Sequence, residues 1–170
     1  MIRAATVEDA DDMIRVHIEG WRTAYRDLFS PEFLAGISHE TRKIQWLQIL
    51  NKNEVDEFAF VVESAGKVVG FINGGLERTG DPDFDGEIYA LYLLEEFRRR
   101  GIGLRLFLRC IQFLVDHDMH SMKVWVLSDN PYRHFYEKQG GHVIAEKAID
   151  CEGKQLIETA YGWTSLTAKS

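Results

Sequence analysis

Cysteine is scarce. The 170 residues contain two, Cys110 and Cys151, without CxxC spacing and without a leader-like apolar segment after Met1-Ile2-Arg3. That usage excludes a disulfide scaffold and predicts a reduced, cytoplasmic protein. No apolar run approaches the ~18 residues that a membrane-spanning helix requires, so no membrane partner is expected. Positive charge is also short, with 20 lysines and arginines against 27 carboxylates and a net charge of −7. Nucleic-acid binders neutralise phosphate with a basic face, and this deficit argues against a nucleic-acid partner. The same balance favours a cationic small partner.

What the chain does have is material for one core. Hydrophobic residues make up 45% and charged residues 28%. Length and composition predict one globular domain over residues 1–170, folding alone or as a small oligomer such as a homodimer. Internal repeats and low-complexity linkers are missing.

Residues 2–6 read as a strand. Thr6 followed by Glu8, Asp9, Asp11 and Asp12 reads as a helix start, with carboxylates at the positive end of the dipole. Met13, His17, Trp21 and Tyr25 recur every four residues beside Ile14, Ile18 and Leu28, the apolar stripe of a helix through about residue 28. Pro31 starts a short helix, and Ser38-His39-Glu40-Thr41 opens another that carries Ile44, Leu47 and Leu50. Strands are predicted over residues 58–63 and 67–72, joined by the hairpin turn Ser64-Ala65-Gly66. After polar residues 77–86, residues 87–94 form a central strand. Leu106, Phe107, Cys110, Ile111, Leu114 and Val115 then repeat at helical steps. Residues 122–127 have the composition of a buried strand. Pro131 permits a helix through about Gln139, and residues 142–149 and 155–163 are two last strands around Glu152-Gly153-Lys154.

The central strand runs into Arg98-Arg99-Arg100-Gly101-Ile102-Gly103-Leu104, and a helix follows. A strand entering a helix through glycines makes an anion site, because the first helical N–H groups lack partners and the dipole there favours negative charge. A Walker loop needs a Gly-Lys-Ser/Thr ending, and a dinucleotide fingerprint needs a third glycine where Leu106 stands. Neither pattern is met. What remains, Arg98-x-x-Gly101-x-Gly103, resembles the Gln/Arg-x-x-Gly-x-Gly/Ala motif of the GCN5-related N-acetyltransferase (GNAT) family. Downstream, Asn130-Pro131-Tyr132-Arg133-His134-Phe135-Tyr136-Glu137-Lys138-Gln139-Gly140-Gly141 is similar to the family's Asn-x-x-Ala-x-x-Phe-Tyr-Glu-Lys-x-Gly-Phe. The interval from Asn130 to Tyr136 is one residue shorter than is common, and Gly141 stands where the family has phenylalanine.

The resemblance covers almost the whole chain and implies an α/β (α+β) fold, a mixed and mostly antiparallel sheet of about seven strands flanked by four or five helices. It implies acetyl-CoA as cosubstrate, with pyrophosphate on the main chain of Gly101, Ile102, Gly103 and Leu104 and charge from Arg98, Arg99 and Arg100. Leu91, Tyr92 and Leu93 would border the acetyl group and pantetheine arm, with Asn130 and Tyr136 nearby. No metal is implied, and the run His117-Asp118-Met119-His120 lacks a further ligand cluster.

Acetyl transfer to an amine needs a neutral nitrogen, yet an alkylammonium with a pKa of ~10.4 is protonated at neutral pH. A base or a water relay must take the proton, N–H donors must meet charge on the carbonyl oxygen, and the departing thiolate needs a proton donor. By the resemblance Glu87, eleven residues before Arg98 (98 − 87 = 11), is the base, and Tyr136 is the acid. Read from the residues alone, Glu87 is a solvated strand-end carboxylate and Tyr136 a core tyrosine. Trp21 and Tyr25 are candidates for the acceptor wall, although an aromatic stripe is also ordinary core. Asp81, Asp83, Asp85 and Glu87 would suit a cationic or polyamine-like amine, or merely form a solubilising loop. The expected activity is N-acetylation of a primary amine of a small molecule. The alternatives are a peptide amino terminus as acceptor, or a non-catalytic acyl-CoA sensor.

Overall fold

The computed structural model describes residues 1–35, 39–51, 56–151 and 153–167. Ser38 and Glu152, named above as a helix start and a turn residue, lie outside them. Strand β1 (Ile2–Ala4) leads through a single 3-10 turn into α1 (Ala10–Tyr25). The acidic start works as a tether. Arg3 donates to both Asp9 carboxylate oxygens at 2.8 Å, and Thr6 N–H donates to Asp9 Oδ2 at 2.7 Å, so one carboxylate ties β1 to the helix entry. Hydrogen bonding from Arg3 holds the Asp9 carboxyl below its usual range.

Helices α2 (Pro31–Ala35) and α3 (His39–Asn51) precede β2 (Glu57–Ser64), β3 (Lys67–Leu76) and β4 (Gly86–Leu93). Then come α4 (Ile102–Asp116), β5 (Met122–Leu127), α5 (His134–Lys138), β6 (His142–Cys151) and β7 (Lys154–Trp163). The seven strands form one sheet in the order β1-β2-β3-β4-β5-β7-β6. Only β4 and β5 are parallel. Such a pair needs a crossover, and α4 supplies it.

Both faces of the sheet's first half are covered. Phe71 of β3 meets Trp46 of α3 at 5.2 Å and His17 of α1 at 6.3 Å between ring centroids. On the opposite face Phe113 of α4 packs on Phe58 of β2 at 4.3 Å. No helix among the described residues is long and apolar enough to cross a membrane.

Among the boundaries that differ from the sequence expectation, three have a visible local reason. Helix α1 stops at Tyr25, where Leu28 N–H turns back to the Tyr25 carbonyl at 3.0 Å in a tighter i→i−3 bond, and Phe29 comes onto Trp21. Strand β3 continues to Leu76 through Gly74 and Gly75, glycines that would otherwise signal a break. A Cβ at Gly74 would lie 2.7 Å from the Glu87 carbonyl oxygen, and one at Gly75 would lie 2.0 Å from that of Asp56. The helix expected from Pro131 starts only at His134, because Tyr132 N–H bonds to Asn130 Oδ1 at 2.8 Å and holds residues 131–133 in a turn.

Candidate active site

The sheet contains a built-in opening. Strands β4 and β5 are in register at Gly86 with Met122, Glu87 with Lys123, and Ile88 with Val124. Beyond those pairs their ladder stops, while β4 stays paired with β3 as far as Leu93 and β5 with β7 as far as Leu127. The cause is visible on β3. Asn73 pairs with Ala90 but Gly74 with Ile88, so Tyr89 is an extra residue on β4 where the strands part. A bulge bends its strand and increases local twist, which here turns β4 away from β5.

A cleft of about 210 Å³ occupies the gap. Its β4 wall is Tyr89 to Tyr92, its β5 wall Val124 to Leu127, and Trp21 and Tyr25 of α1 close one side. Asn130 and Tyr136 come from the segment after β5, and Glu158 comes from β7. The site residues Trp21, Tyr25, Leu91, Tyr92, Asn130 and Tyr136, far apart in sequence, thus share one cavity.

Four tyrosines line this cavity, Tyr89 with its hydroxyl on the Leu76 carbonyl and three others, Tyr25, Tyr92 and Tyr136. Trp21 Nε1–H donates to Tyr92 Oη at 2.9 Å, and Asn130 Nδ2 donates to Tyr25 Oη at 3.1 Å. Burial pushes Tyr92 up to about 12 despite the bond from Trp21. Tyr25 and Tyr136 are raised as well, first by burial and then by neighbouring phenols. All three are neutral at physiological pH, so each can donate a hydrogen bond.

At the C-terminal end of β4, Arg98 is half-buried, whereas Arg99 and Arg100 are exposed. Arg98 Nε donates to the Leu93 carbonyl at 3.2 Å, and its guanidinium lies 3.8 Å from the centroid of Tyr132. Arg98 Nη1 is buried without a hydrogen-bond partner. Gly101, at φ 76°, is the N-cap of α4 and adopts the left-handed conformation that glycine tolerates best. Arg105 N–H bonds back to the Gly101 carbonyl at 3.1 Å, which leaves the N–H groups of Ile102, Gly103 and Leu104 ahead of the first helical bond. The first turn carries no carboxylate.

Residues 21–141 match the sequence model of the Acetyltransferase (GNAT) family. The chain belongs to the GNAT family. It is 34% identical over 168 residues to YuaI of Bacillus subtilis, an uncharacterized N-acetyltransferase, covering 98% of this chain and 94% of that protein. An uncharacterized N-acetyltransferase of Archaeoglobus fulgidus is 30% identical over 149 residues, 81% of this chain and 90% of the relative. In fold the chain is similar to PaiA N-acetyltransferase from Thermoplasma acidophilum, solved in complex with coenzyme A. The TM-score is 0.73 at 21% identity, covering 94% of this chain and 96% of that one.

The turn of this GNAT chain fits a coenzyme pyrophosphate. Its buried, unpartnered Arg98 Nη1 is an unused donor, and a Cβ at Gly103 would meet only Phe135, at 3.9 Å, so space lies over the helix start. The departure at Gly141 also has a cause. A Cβ there would lie 2.7 Å from Trp163 Cζ2 and 2.9 Å from the Tyr136 carbonyl oxygen, so the aromatic at this place comes from β7 instead. Trp163 Nε1–H bonds to the Gln139 carbonyl at 2.9 Å and fixes it.

Glu87 stands apart from the other site residues. It is 1% exposed and does not line the cleft. The Arg78 guanidinium bonds to Glu87 Oε2 at 2.8 Å and the Arg78 N–H to Oε1 at 3.1 Å. The acidic loop is likewise used internally. Lys123, 2% exposed, reaches Glu77 at 2.8 Å and Asp81 at 3.5 Å, while Asp85 accepts from His120 N–H at 2.9 Å. Sequence reasoning missed Tyr89, Trp125, Tyr132 and Glu158. The first two lie in strands that read as core, and no periodicity announces where two such strands separate.

Proposed function

We propose that the protein is an acetyl-CoA-dependent N-acetyltransferase that acetylates a primary amine of a small molecule by direct attack in a ternary complex. The supporting observation is the opened β4–β5 gap, which contains a neutral phenol and lies on the strand whose C-terminal end leads into the glycine turn at the start of α4. Acetyl-CoA supplies the activated acyl group as a thioester. The N–H groups at the start of α4, with Arg98, hold its pyrophosphate. Main-chain groups of Leu91 to Leu93 on the open edge of β4 meet charge as it develops on the carbonyl oxygen.

Tyr136 donates to the departing sulfur. Its raised pKa exceeds that of an ordinary thiol, ~8.5, so its contribution is a hydrogen bond to the developing thiolate rather than early proton loss. The amine gives up its proton to water in the cleft. Glu87, which does not line the cleft, holds Arg78 through both carboxylate oxygens and does not contact the amine. The same cavity of about 210 Å³, below the ~300–1,000 Å³ of a typical ligand site, takes the thioester as well as the amine and so favours a compact acceptor.

The test is thiol release from acetyl-CoA by the purified protein across a panel of amines, with coenzyme A binding measured separately. Turnover is expected, and Tyr136→Phe should lower kcat by ~100-fold, the lower range for losing one hydrogen-bond donor to developing charge, with little change in coenzyme A affinity. Tight coenzyme A binding without turnover on any amine would replace this reading with that of a sensor module.

A further inference from the structure

Two buried side-chain polar atoms among the described residues have no hydrogen-bond partner, Arg98 Nη1 and Trp125 Nε1. The first belongs to the phosphate end already described. The second belongs to Trp125, a residue that lines the cleft on β5 beyond the last β4–β5 pair. A buried N–H without an acceptor is costly, and most such groups in folded proteins are paired. Two other tryptophans of this chain follow that rule, Trp21 through Tyr92 Oη and Trp163 through the Gln139 carbonyl.

The other ways for Trp125 to recognise an amine are already taken. Lys147 Nζ lies 4.2 Å from its ring centroid and Lys123 Nζ 5.9 Å from it. The π-system that would attract a substrate ammonium is therefore occupied by the protein's own cations. Glu158, a carboxylate of the cleft, is 3.5 Å from Lys147 Nζ and so is half of an ion pair. The carboxylates of Glu77, Asp81 and Glu87 are likewise held by Lys123 or Arg78. A polyamine in the cleft would find the carboxylate of its lining, Glu158, already paired. It would also bring only N–H donors, leaving Trp125 Nε1–H without an acceptor.

From this we infer that the acceptor carries a hydrogen-bond-accepting oxygen close to its amine, as an α-amino acid or an α-amino amide does, and that Trp125 Nε1–H reads that oxygen. Trp125 is a specificity-determining residue, and the inference rests on the acetyltransferase reading above. The site favours such an acceptor for the reason that any buried donor does: a ligand lacking the matching oxygen leaves the N–H unsatisfied in the bound state.

The experiment compares kcat/KM for an α-amino acid, its amide, an alkylamine of equal length without the oxygen, and spermidine, on the wild type and on Trp125→Phe, which keeps a ring but removes the N–H. The wild type should favour the better oxygen-bearing acceptor over the alkylamine by roughly tenfold, the value of one neutral hydrogen bond. In Trp125→Phe that preference should fall to within about twofold. Amino acid favoured over amide identifies a carboxylate, the reverse a carbonyl, and either supports the inference. Wild-type preference for the alkylamine or spermidine overturns it, as does an equal loss on all acceptors in Trp125→Phe. Should the variant fail to fold, the wild-type comparison decides alone. A wild type that binds coenzyme A and acetylates no amine overturns this inference together with the acetyltransferase reading, whereas activity without the oxygen preference overturns this inference only.

Discussion

Gly20→Ala opposes two effects of known sign. Gly20 is buried within α1, where replacing glycine by alanine would ordinarily stabilise by ~1 kcal/mol. Here the new methyl would lie 2.5 Å from Tyr92 Cδ1 and 3.3 Å from both Cε1 and Cγ. The Tyr92 ring has little room to retreat. It stacks on His17 at 4.6 Å, meets Phe71 at 5.8 Å, and is held at its hydroxyl by Trp21 at 2.9 Å. Overpacking of a filled core costs ~1–3 kcal/mol, so the clash outweighs the helix gain and the net loss is about 1 kcal/mol. For a domain of this size that lowers Tm by ~2–4 °C. Because Tyr92 also borders the cleft, kcat/KM should fall with Tm. Calorimetry and steady-state kinetics on the same preparations measure both. An alanine variant as stable as the wild type, or more so, would refute the claim that Tyr92 is locked between His17, Phe71 and Trp21.

Two further outcomes follow from charge. Burial, aided by the neighbouring Arg42, depresses His17 from 6.5 to about 3. Between those values the unfolded chain binds a proton that the folded chain refuses, so stability present above pH 6.5 declines as pH falls toward 3, by at most ~1.4 kcal/mol per pH unit. Denaturant titrations of wild type and His17→Phe across that window should show a shallower slope in the variant. Gly103→Asp separates folding from binding. A carboxylate in the first turn of α4 favours the helix by ~0.3–1 kcal/mol, but the same charge repels pyrophosphate, so Tm should hold or rise while coenzyme A affinity falls, as calorimetric titration would show.

Most of the framework was legible because it rests on local chemistry. The glycines before Leu104 announced a helix start, and the stripe from Leu106 to Val115 announced what followed. The extension of β3 through Gly74 and Gly75 was not legible, because glycine signals both a break and a close approach of backbones, and only the neighbouring strand decides between them. Among the arginines the motif singled out Arg98, but its tether to the Leu93 carbonyl and its contact with Tyr132 depend on a turn built later in the chain. Trp125 was illegible for a similar reason. In sequence it is one apolar residue of Met122–Leu127, and its role appears only where β4 leaves β5. The acidic residues were visible as a cluster, yet their attachment to Lys123 and Arg78 is a long-range pairing that composition does not reveal.

The early end of the β4–β5 ladder also divides the molecule mechanically. The first four strands are neighbours in chain order, the last three form a group of their own, and the two leaves are joined by three rungs, the α4 crossover, the ion pairs of Lys123 with Glu77 and Asp81, and the bond from His120 N–H to Asp85. A guest slotted into the open part of that seam acts as a keystone, since it touches both leaves at once. Any ligand that binds only the folded chain adds to resistance against unfolding, by ~2.7 kcal/mol at a hundred times its Kd. In this protein occupancy and mechanical integrity are thus two readings of the same seam.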